Sequence, residues 1–487
     1  MQYVSTRGET PPVDFETAVL RGYAPDGGLY VPVTIPRIAP KTLERWARLG
    51  YVDLAHEILS LFIEPSVIPT ADLRRLLEAS YCTFDTPEVA PVVPLGSVPR
   101  RYVMELFHGP TLSFKDLAMG VLVNIVDFLL QRRKERQTLI VVTTGDTGPA
   151  AAYASAGKGS LECWVLYPSG MISEEQARQM TTIRADNVHA VGVSHCPNGG
   201  DDLDLLVAEL SADRDFSQRL RLSSVNSINL CRVLAQTIHF FYGYCRVAES
   251  LGERIVISVP SGGFGNMFGG CLARMMGLPV EFFICATNSN ATLHRIFSTG
   301  EFSKADLRQT FSSAIDIVIP YNFWRYLYLA SGRDHAKIRR WMNEFQAQGG
   351  FELDVSTTEE IQRGFWSASI SDSDTLTTIQ SVYESTGGYL LDPHAAVSVA
   401  AAQKLSARIP PDTKVVSFAT AHPAKFPKVI RRALGISGEL PPAARHRSID
   451  SARQAPERCL AFDLGELPLA IRQEMESVAT RRKADRE

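Results

Sequence analysis

A basic start followed by an apolar stretch is missing here; the chain opens Met1-Gln2-Tyr3-Val4, so no secretory signal is expected. Long hydrophobic runs are scarce as well. The most apolar long segment, 118–130, carries Asn124 and Asp127 and is shorter than the roughly 20 residues that span a bilayer. The eight cysteines (82, 163, 196, 231, 245, 271, 285 and 459) show no paired metal-ligand spacing. Several lie in apolar runs, as reduced core thiols do, so neither a metal centre nor a disulfide framework is expected. Neither sign of charge dominates: 50 Lys+Arg against 53 Asp+Glu leave −3, which argues against nucleic-acid or membrane partners. There is no internal repeat and no long low-complexity linker. These absences leave a cytoplasmic protein with a small-molecule ligand as the expectation.

The 487 residues suffice for a large buried core, and 45% hydrophobic with 21% charged residues is a globular balance. Residues 1–97 read as a partly helical N-terminal unit, with helical periodicity through Thr42–Ala47, Val52–Phe62 and Ala71–Ala79. From about residue 98 to 440 the rhythm is strand, loop, helix. Buried strands are expected at Thr138–Thr143, Cys163–Tyr167, Val188–Val193, Ile255–Val259, Val280–Ala286 and Lys414–Phe418. Helices fall between them, including a long one at Leu230–Leu251 and one opened by a Ser173/Gln176 capping box. Apolar strands alternating with helices predict an α/β fold, its mostly parallel sheets covered on both faces. Residues 441–487 read as a polar, Arg-rich tail with a terminal helix around Leu467–Thr480.

Lys115 ends the run Leu106-Phe107-His108-Gly109-Pro110-Thr111-Leu112-Ser113-Phe114. Its apolar neighbours would desolvate the amine and lower its pKa, and a neutral lysine can form a Schiff base with an aldehyde. Four loops offer partners. Pro260-Ser261-Gly262-Gly263-Phe264-Gly265-Asn266 joins a strand to a helix, and its free amides would cradle a phosphate. It lacks both the dinucleotide Gly-x-Gly-x-x-Gly spacing and the Gly-Lys-Ser/Thr of a P-loop. Thr143-Thr144-Gly145-Asp146-Thr147 suits a carboxylate, with Asp146 able to address a phenolic oxygen. Asn226 and Ser227 with Arg232 can converge on an anion, and Thr420 stands where a parallel strand ends. Each loop also has a purely structural reading, as a tight turn or a helix cap.

Taken in order, these motifs resemble the threonine synthase family, pyridoxal-phosphate enzymes of the tryptophan-synthase β-like fold (fold type II). Tyr3-Val4-Ser5-Thr6-Arg7-Gly8, Asp26-Gly27-Gly28-Leu29-Tyr30-Val31-Pro32, Asn226-Ser227-Ile228-Asn229, Leu391-Asp392-Pro393-His394 and Thr420-Ala421-His422-Pro423-Ala424-Lys425-Phe426 extend the resemblance over most of the chain. It implies two subdomains with the site between them, in a monomer or homodimer. Lys115 would carry pyridoxal 5'-phosphate and move substrate protons, and the 262–266 loop would hold the cofactor phosphate. Asp146 would lie near the ring hydroxyl and Thr420 near the pyridine nitrogen. Thr143, Thr144 and Thr147 would take the substrate carboxylate; Asn226, Ser227 and Arg232 would take the phosphate of O-phospho-L-homoserine. The implied reaction is γ-elimination followed by β-addition of water, giving L-threonine and phosphate.

Three places depart from the family pattern: Gly263 replaces the usual asparagine, Ala395 the usual threonine, and Tyr321 and Trp324 stand where small or acidic residues are common. The departures keep two other readings open. One is a phospho-lyase or γ-replacement enzyme for another amino acid; the other is a non-catalytic binding paralogue.

Overall fold

The computed structural model describes residues 1–96 and 98–484. Residue 97, where the sequence ends the N-terminal unit, and residues 485–487, at the end of the tail, lie outside the described residues. Two large sheets organise the chain. The first has six strands in the spatial order Phe365–Ser369, Val280–Thr287, Ile255–Pro260, Val415–Ala419, Arg101–Glu105, Val92–Pro94. All its neighbours pair in parallel except the last two. The second has five strands, all parallel, in the order Leu460–Asp463, Val188–Ser194, Leu161–Pro168, Gln137–Val142, Leu222–Ser223. Every residue of Ile255–Pro260 and of Val415–Ala419 is buried, which is why these strands read as unbroken apolar runs rather than alternating ones.

Two helices fill the middle. Lys115–Arg133 buries Leu117, Met119, Leu122, Ile125 and Leu129 around its circumference and packs on the helices Thr70–Tyr81, Thr147–Ser155 and Leu230–Val247. In Leu230–Val247 every residue but Cys245 and Arg246 is buried. Its buried polar residues Arg232, Gln236 and His239 recur at helical spacing and so share one face. This helix stops four residues short of the expected Leu251. The Glu249 and Gly252 amides are instead taken by the Glu253 carboxylate and the Tyr244 hydroxyl, which turns the chain out of the helix. No described helix is long and apolar enough to cross a membrane.

At the N-terminus, Tyr3–Ser5 pairs antiparallel with Tyr30–Pro32, and the helices Pro40–Trp46, Tyr51–Leu59 and Thr70–Tyr81 fall where periodicity put them. The strand Leu460–Asp463 was not legible in the sequence. It is a short, half-exposed sheet edge whose apolar stretch, Leu460-Ala461-Phe462, is brief and set in a polar tail. Together with the helix Leu467–Ala484 it closes a second core, where Leu467, Ile471 and Met475 meet Ile140, Trp164 and Leu206. The substitution Ile471→Ala is expected to remove about 3 kcal/mol from the unfolding free energy. Denaturant titration measures it, and a loss below about 1 kcal/mol would show that the terminal helix does not complete that core.

Candidate active site

A cavity of about 610 Å³ opens between the two sheets. Its walls are the loops that follow the strands Gln137–Val142, Ile255–Pro260 and Val415–Ala419, with Lys115 at the start of its helix. This is the carboxyl end of parallel strands, where open α/β sheets collect ligands. All the site residues singled out from the sequence line this one cavity: Lys115, Thr143, Thr144, Asp146, Thr147, Asn226, Ser227, Arg232, Gly262 to Asn266, and Thr420.

Lys115 is half-buried, its Nζ 4.4 Å from the centre of the Phe114 ring. Burial, then the neighbouring Arg232 and Lys425, push its amine down to about 7 against the opposing pull of Asp146. The loop before it is closed by Asp116, whose carboxyl accepts from the Thr111 amide at 2.9 Å and the Thr111 hydroxyl at 2.6 Å. Backbone bonds stitch this loop to the Thr420 loop: the Phe114 amide donates to the Thr420 carbonyl at 2.8 Å, and the His422 amide to that of Leu112 at 3.1 Å. Lys115 and Thr420 are therefore held on one frame.

The glycine loop approaches its neighbours too closely for a side chain at Gly262, where a Cβ would come 2.9 Å from the Ile315 Cα. Phe264 sits in the left-handed region at φ 63°, a conformation that L residues adopt only when surroundings impose it. The imposition is visible. Its ring packs among Phe297, Phe323, Tyr326 and Phe365, so Phe264 serves the cavity through its backbone and anchors the loop with its side chain. Asn266 opens the following helix, its Oδ1 bonded to His239 Nε2 at 2.7 Å and its buried Nδ2 without a partner. Burial pushes the His239 ring down to about 4.

In the facing loop the Thr143 hydroxyl accepts from the Gly145 and Gly148 amides at 3.0 and 2.9 Å, which shapes the turn and leaves its proton to donate. The sequence left open whether Asp146 simply caps the helix Thr147–Ser155. It makes no such cap; its Oδ1 accepts instead from Lys425 Nζ at 2.6 Å and Gln176 Nε2 at 2.9 Å. Asn226 and Ser227 do not themselves cap the long helix Leu230–Val247. Asn229 caps it, and the two lie in the turn before it. The Ser227 hydroxyl accepts from Asn322 at 3.0 Å, while the Asn226 Oδ1 is buried and unpartnered. Arg232 is fully buried; its Nη1 donates to the Val225 carbonyl at 2.9 Å, and its Nε and Nη2 have no partner. Burial lowers this guanidinium to about 10, so it stays charged at neutral pH.

Of the departures, Gly263 and Tyr321 line the cavity. Trp324 packs against Phe302 and Phe351, and Ala395 lies in an apolar cluster, both away from it. Sequence reasoning assigned no role to His394, which lines the cavity, or to Lys425. The His394 Nδ1 donates to Asp392 at 2.7 Å and its Nε2 accepts from the Ala314 amide at 3.0 Å, so it holds the 314–317 wall in place. The polar residues at 232, 236 and 239 in an otherwise apolar helix were the available signal for Gln236 and His239.

Three family models match in order: "Threonine synthase N terminus" over 2–81, "Pyridoxal-phosphate dependent enzyme" over 89–358, and "Threonine synthase, C-terminal" over 395–463. The fold and site thus define a pyridoxal-phosphate-dependent enzyme of fold type II. Curated relatives include the threonine synthases of Pseudomonas aeruginosa (38% identical, covering 94% of this chain and 95% of the relative) and Saccharomyces cerevisiae (38%, 89% of each). Threonine synthase-like 2 of Xenopus laevis is 39% identical over 82% of this chain and 83% of its own. Among solved structures, pyridoxal-phosphate-bound threonine synthase from Brucella melitensis superposes with a TM-score of 0.88 at 36% identity, covering 97% of this chain and 99% of that one. The yeast threonine synthase structure gives 0.89 at 34%, covering 98% and 99%. The chain belongs to the threonine synthase family and is a pyridoxal-phosphate lyase.

The residues present fit that cofactor. A lysine with a depressed pKa, a glycine loop ahead of a helix N-terminus, and the unpartnered Asn266 Nδ2 answer to its aldehyde and its phosphate. In cofactor-free protein the unfolded chain binds more protons at Lys115 than the fold does between about pH 7 and the ordinary lysine value. Stability should therefore rise with pH through that window. Lys115→Met should flatten the rise, as read by thermal melts from pH 6 to 10; a slope identical to wild type would contradict the depressed amine.

Proposed function

We propose that this enzyme converts O-phospho-L-homoserine and water to L-threonine and phosphate, with Lys115 as the catalytic residue. The observation that carries the reading is the Arg232 guanidinium, fully buried beside Lys115 with two unpartnered nitrogens and no bonded carboxylate. Such a group asks for a strong anion, and a leaving phosphate is one.

When bound, pyridoxal phosphate supplies the electron sink that makes substrate carbanions accessible. The glycine loop and Asn266 hold its phosphate, while Asp146 and Thr420 orient its ring. The loop amides with Thr143, Thr144 and Thr147 bind the substrate carboxylate. Lys115 Nζ takes protons from the α and β carbons and returns one to the γ carbon. Asn226, Ser227 and Arg232 hold the phosphate as the bond between the γ carbon and oxygen breaks, where charge develops. The second proton leaves with the phosphate; water then gives its hydroxyl to the β carbon and its proton, by way of Lys115 Nζ, to the α carbon, so the product carries one added water and has lost phosphate.

A second reading is a phospho-lyase that releases phosphate without adding water to the β carbon, leaving an enamine that water hydrolyses to a keto acid and ammonia. The altered cavity residues Gly263 and Tyr321 support it. Product analysis with O-phospho-L-homoserine separates the two. Threonine in step with phosphate is expected; phosphate with a keto acid favours the lyase, and no release of phosphate would sink both. Arg232→Gln is expected to lower kcat/KM about 100-fold, in line with the loss of a donor at a site of developing charge.

A Cβ at Gly263 would meet nothing nearer than Ile317 Cδ1 at 3.7 Å and Ser227 Oγ at 3.9 Å, so the cavity admits a side chain there. Gly263→Asn is expected to fold normally and to raise threonine formation. Unchanged or lower turnover in a folded variant would show that the glycine does not tune the site away from this substrate.

A further inference from the structure

We infer that Lys425 is a positioning residue of this site: its buried ammonium ties the lysine loop to the Thr143–Thr147 loop and holds the Asp146 carboxylate beside Lys115. The inference rests on Lys115 as the cofactor lysine but not on which substrate is turned over.

Lys425 ends the short turn Pro423–Lys425, five residues beyond Thr420, and is fully buried. Its Nζ donates to Asp146 Oδ1 at 2.6 Å and to the Thr111 carbonyl at 3.1 Å. Both acceptors are shared with one further helix, Glu174–Thr181. Gln176 Nε2 donates to the same Asp146 oxygen at 2.9 Å, and Gln179 Nε2 to the same Thr111 carbonyl at 2.9 Å. Four segments far apart in the chain thus converge on two oxygens. Two of those segments lead directly into the cavity, one to Lys115 and one to the threonine loop.

A lysine kept only for packing would extend its amine to water. This one ends on a carboxylate inside the protein, an arrangement that contributes little stability compared with an apolar pair of the same volume. Its effect is local. Lys115 faces Arg232, Asp146 and Lys425; Asp146 faces Lys425, His394 and Lys115; Lys425 in turn faces Asp146, Asp116 and His422. Burial alone would raise the Asp146 carboxyl, but the charge of Lys425 and the hydrogen bonds from Lys425 and Gln176 outweigh it and keep it below its ordinary value. At Lys115 the two members of the pair act oppositely: Asp146 favours the protonated amine and Lys425 disfavours it. Removing one partner should therefore shift Lys115 one way, and removing the other should shift it the opposite way.

The test titrates the visible absorbance of the full-length, cofactor-loaded protein from pH 5 to 10 in wild type, Lys425→Met, Asp146→Asn and the double variant. The midpoint is expected to rise by about one unit in Lys425→Met, to fall by about one unit in Asp146→Asn, and to return near wild type in the double variant. Lys425→Arg, which keeps the charge, should leave it nearly in place. Identical titrations in all the proteins, or shifts of the same sign in both single variants, overturn the inference. If Lys425→Met does not fold, a fall in Asp146→Asn with a stationary Lys425→Arg still supports it, and any other pair of results overturns it. Borohydride reduction followed by peptide mapping checks the reading beneath. Cofactor found on Lys115 with stationary midpoints overturns the role of Lys425 alone; cofactor found on another lysine overturns both.

Discussion

Two guanidinium groups, those of Arg232 and Arg325, are completely buried and bonded only to neutral atoms, and the site is organised around that constraint. Taking such an ion out of water costs several kcal/mol unless partners replace the solvent. Arg325 finds its replacement in the protein, donating to the carbonyls of Tyr30, Ser227 and Ile228 and to the Asn322 side-chain oxygen. It thereby fastens an N-terminal strand to the turn that carries Asn226 and Ser227. Arg232 keeps two nitrogens without a partner. One arginine builds the cavity wall, and the other is left to be completed by whatever enters.

That incompleteness is purposeful in a physical sense. Burial is the main reason the Lys115 amine is depressed, and the same positive charge that demands an anion adds to it, favouring the neutral form. Asp146 would cancel much of this field if it stood alone. Its bond to Lys425 confines the cancellation to one place. The cations act together, and the apolar packing around the helices Lys115–Arg133 and Leu230–Val247 supplies the low dielectric in which they are effective.

Much of this was legible beforehand, and the reasons are specific. Strands such as Ile255–Pro260 are buried on both faces, so their apolar runs could be read directly, and the loops after them announced themselves through glycine and threonine. The residues named from the sequence fall on the cavity because chemistry concentrates at those strand ends. The strand Leu460–Asp463 was missed because its apolar stretch is only three residues long and lies in an otherwise polar tail. Lys425 went unassigned for a different reason. Its role depends on Asp146 and Thr111, each roughly 300 residues away, and local sequence gives no account of such a pairing. Phe264 was read for its position in the loop, while its strained backbone and aromatic anchorage became apparent only in three dimensions.

The departures from the family pattern divide along the same line between charge and shape. Ala395 and Trp324 are absorbed into apolar packing. Gly263 and Tyr321 reach the cavity, one removing volume beside Ser227 and the other presenting a phenol toward the side that carries Asp201 and Asp204. Neither change touches Lys115, Arg232 or the Lys425–Asp146 pair. The electrostatic frame that serves the cofactor is therefore separable from the surfaces that shape the substrate's side chain. A relative can change what it accepts by altering the second while the first stays as it is, because the frame is held by buried bonds between distant segments and the shaping residues sit on the open wall.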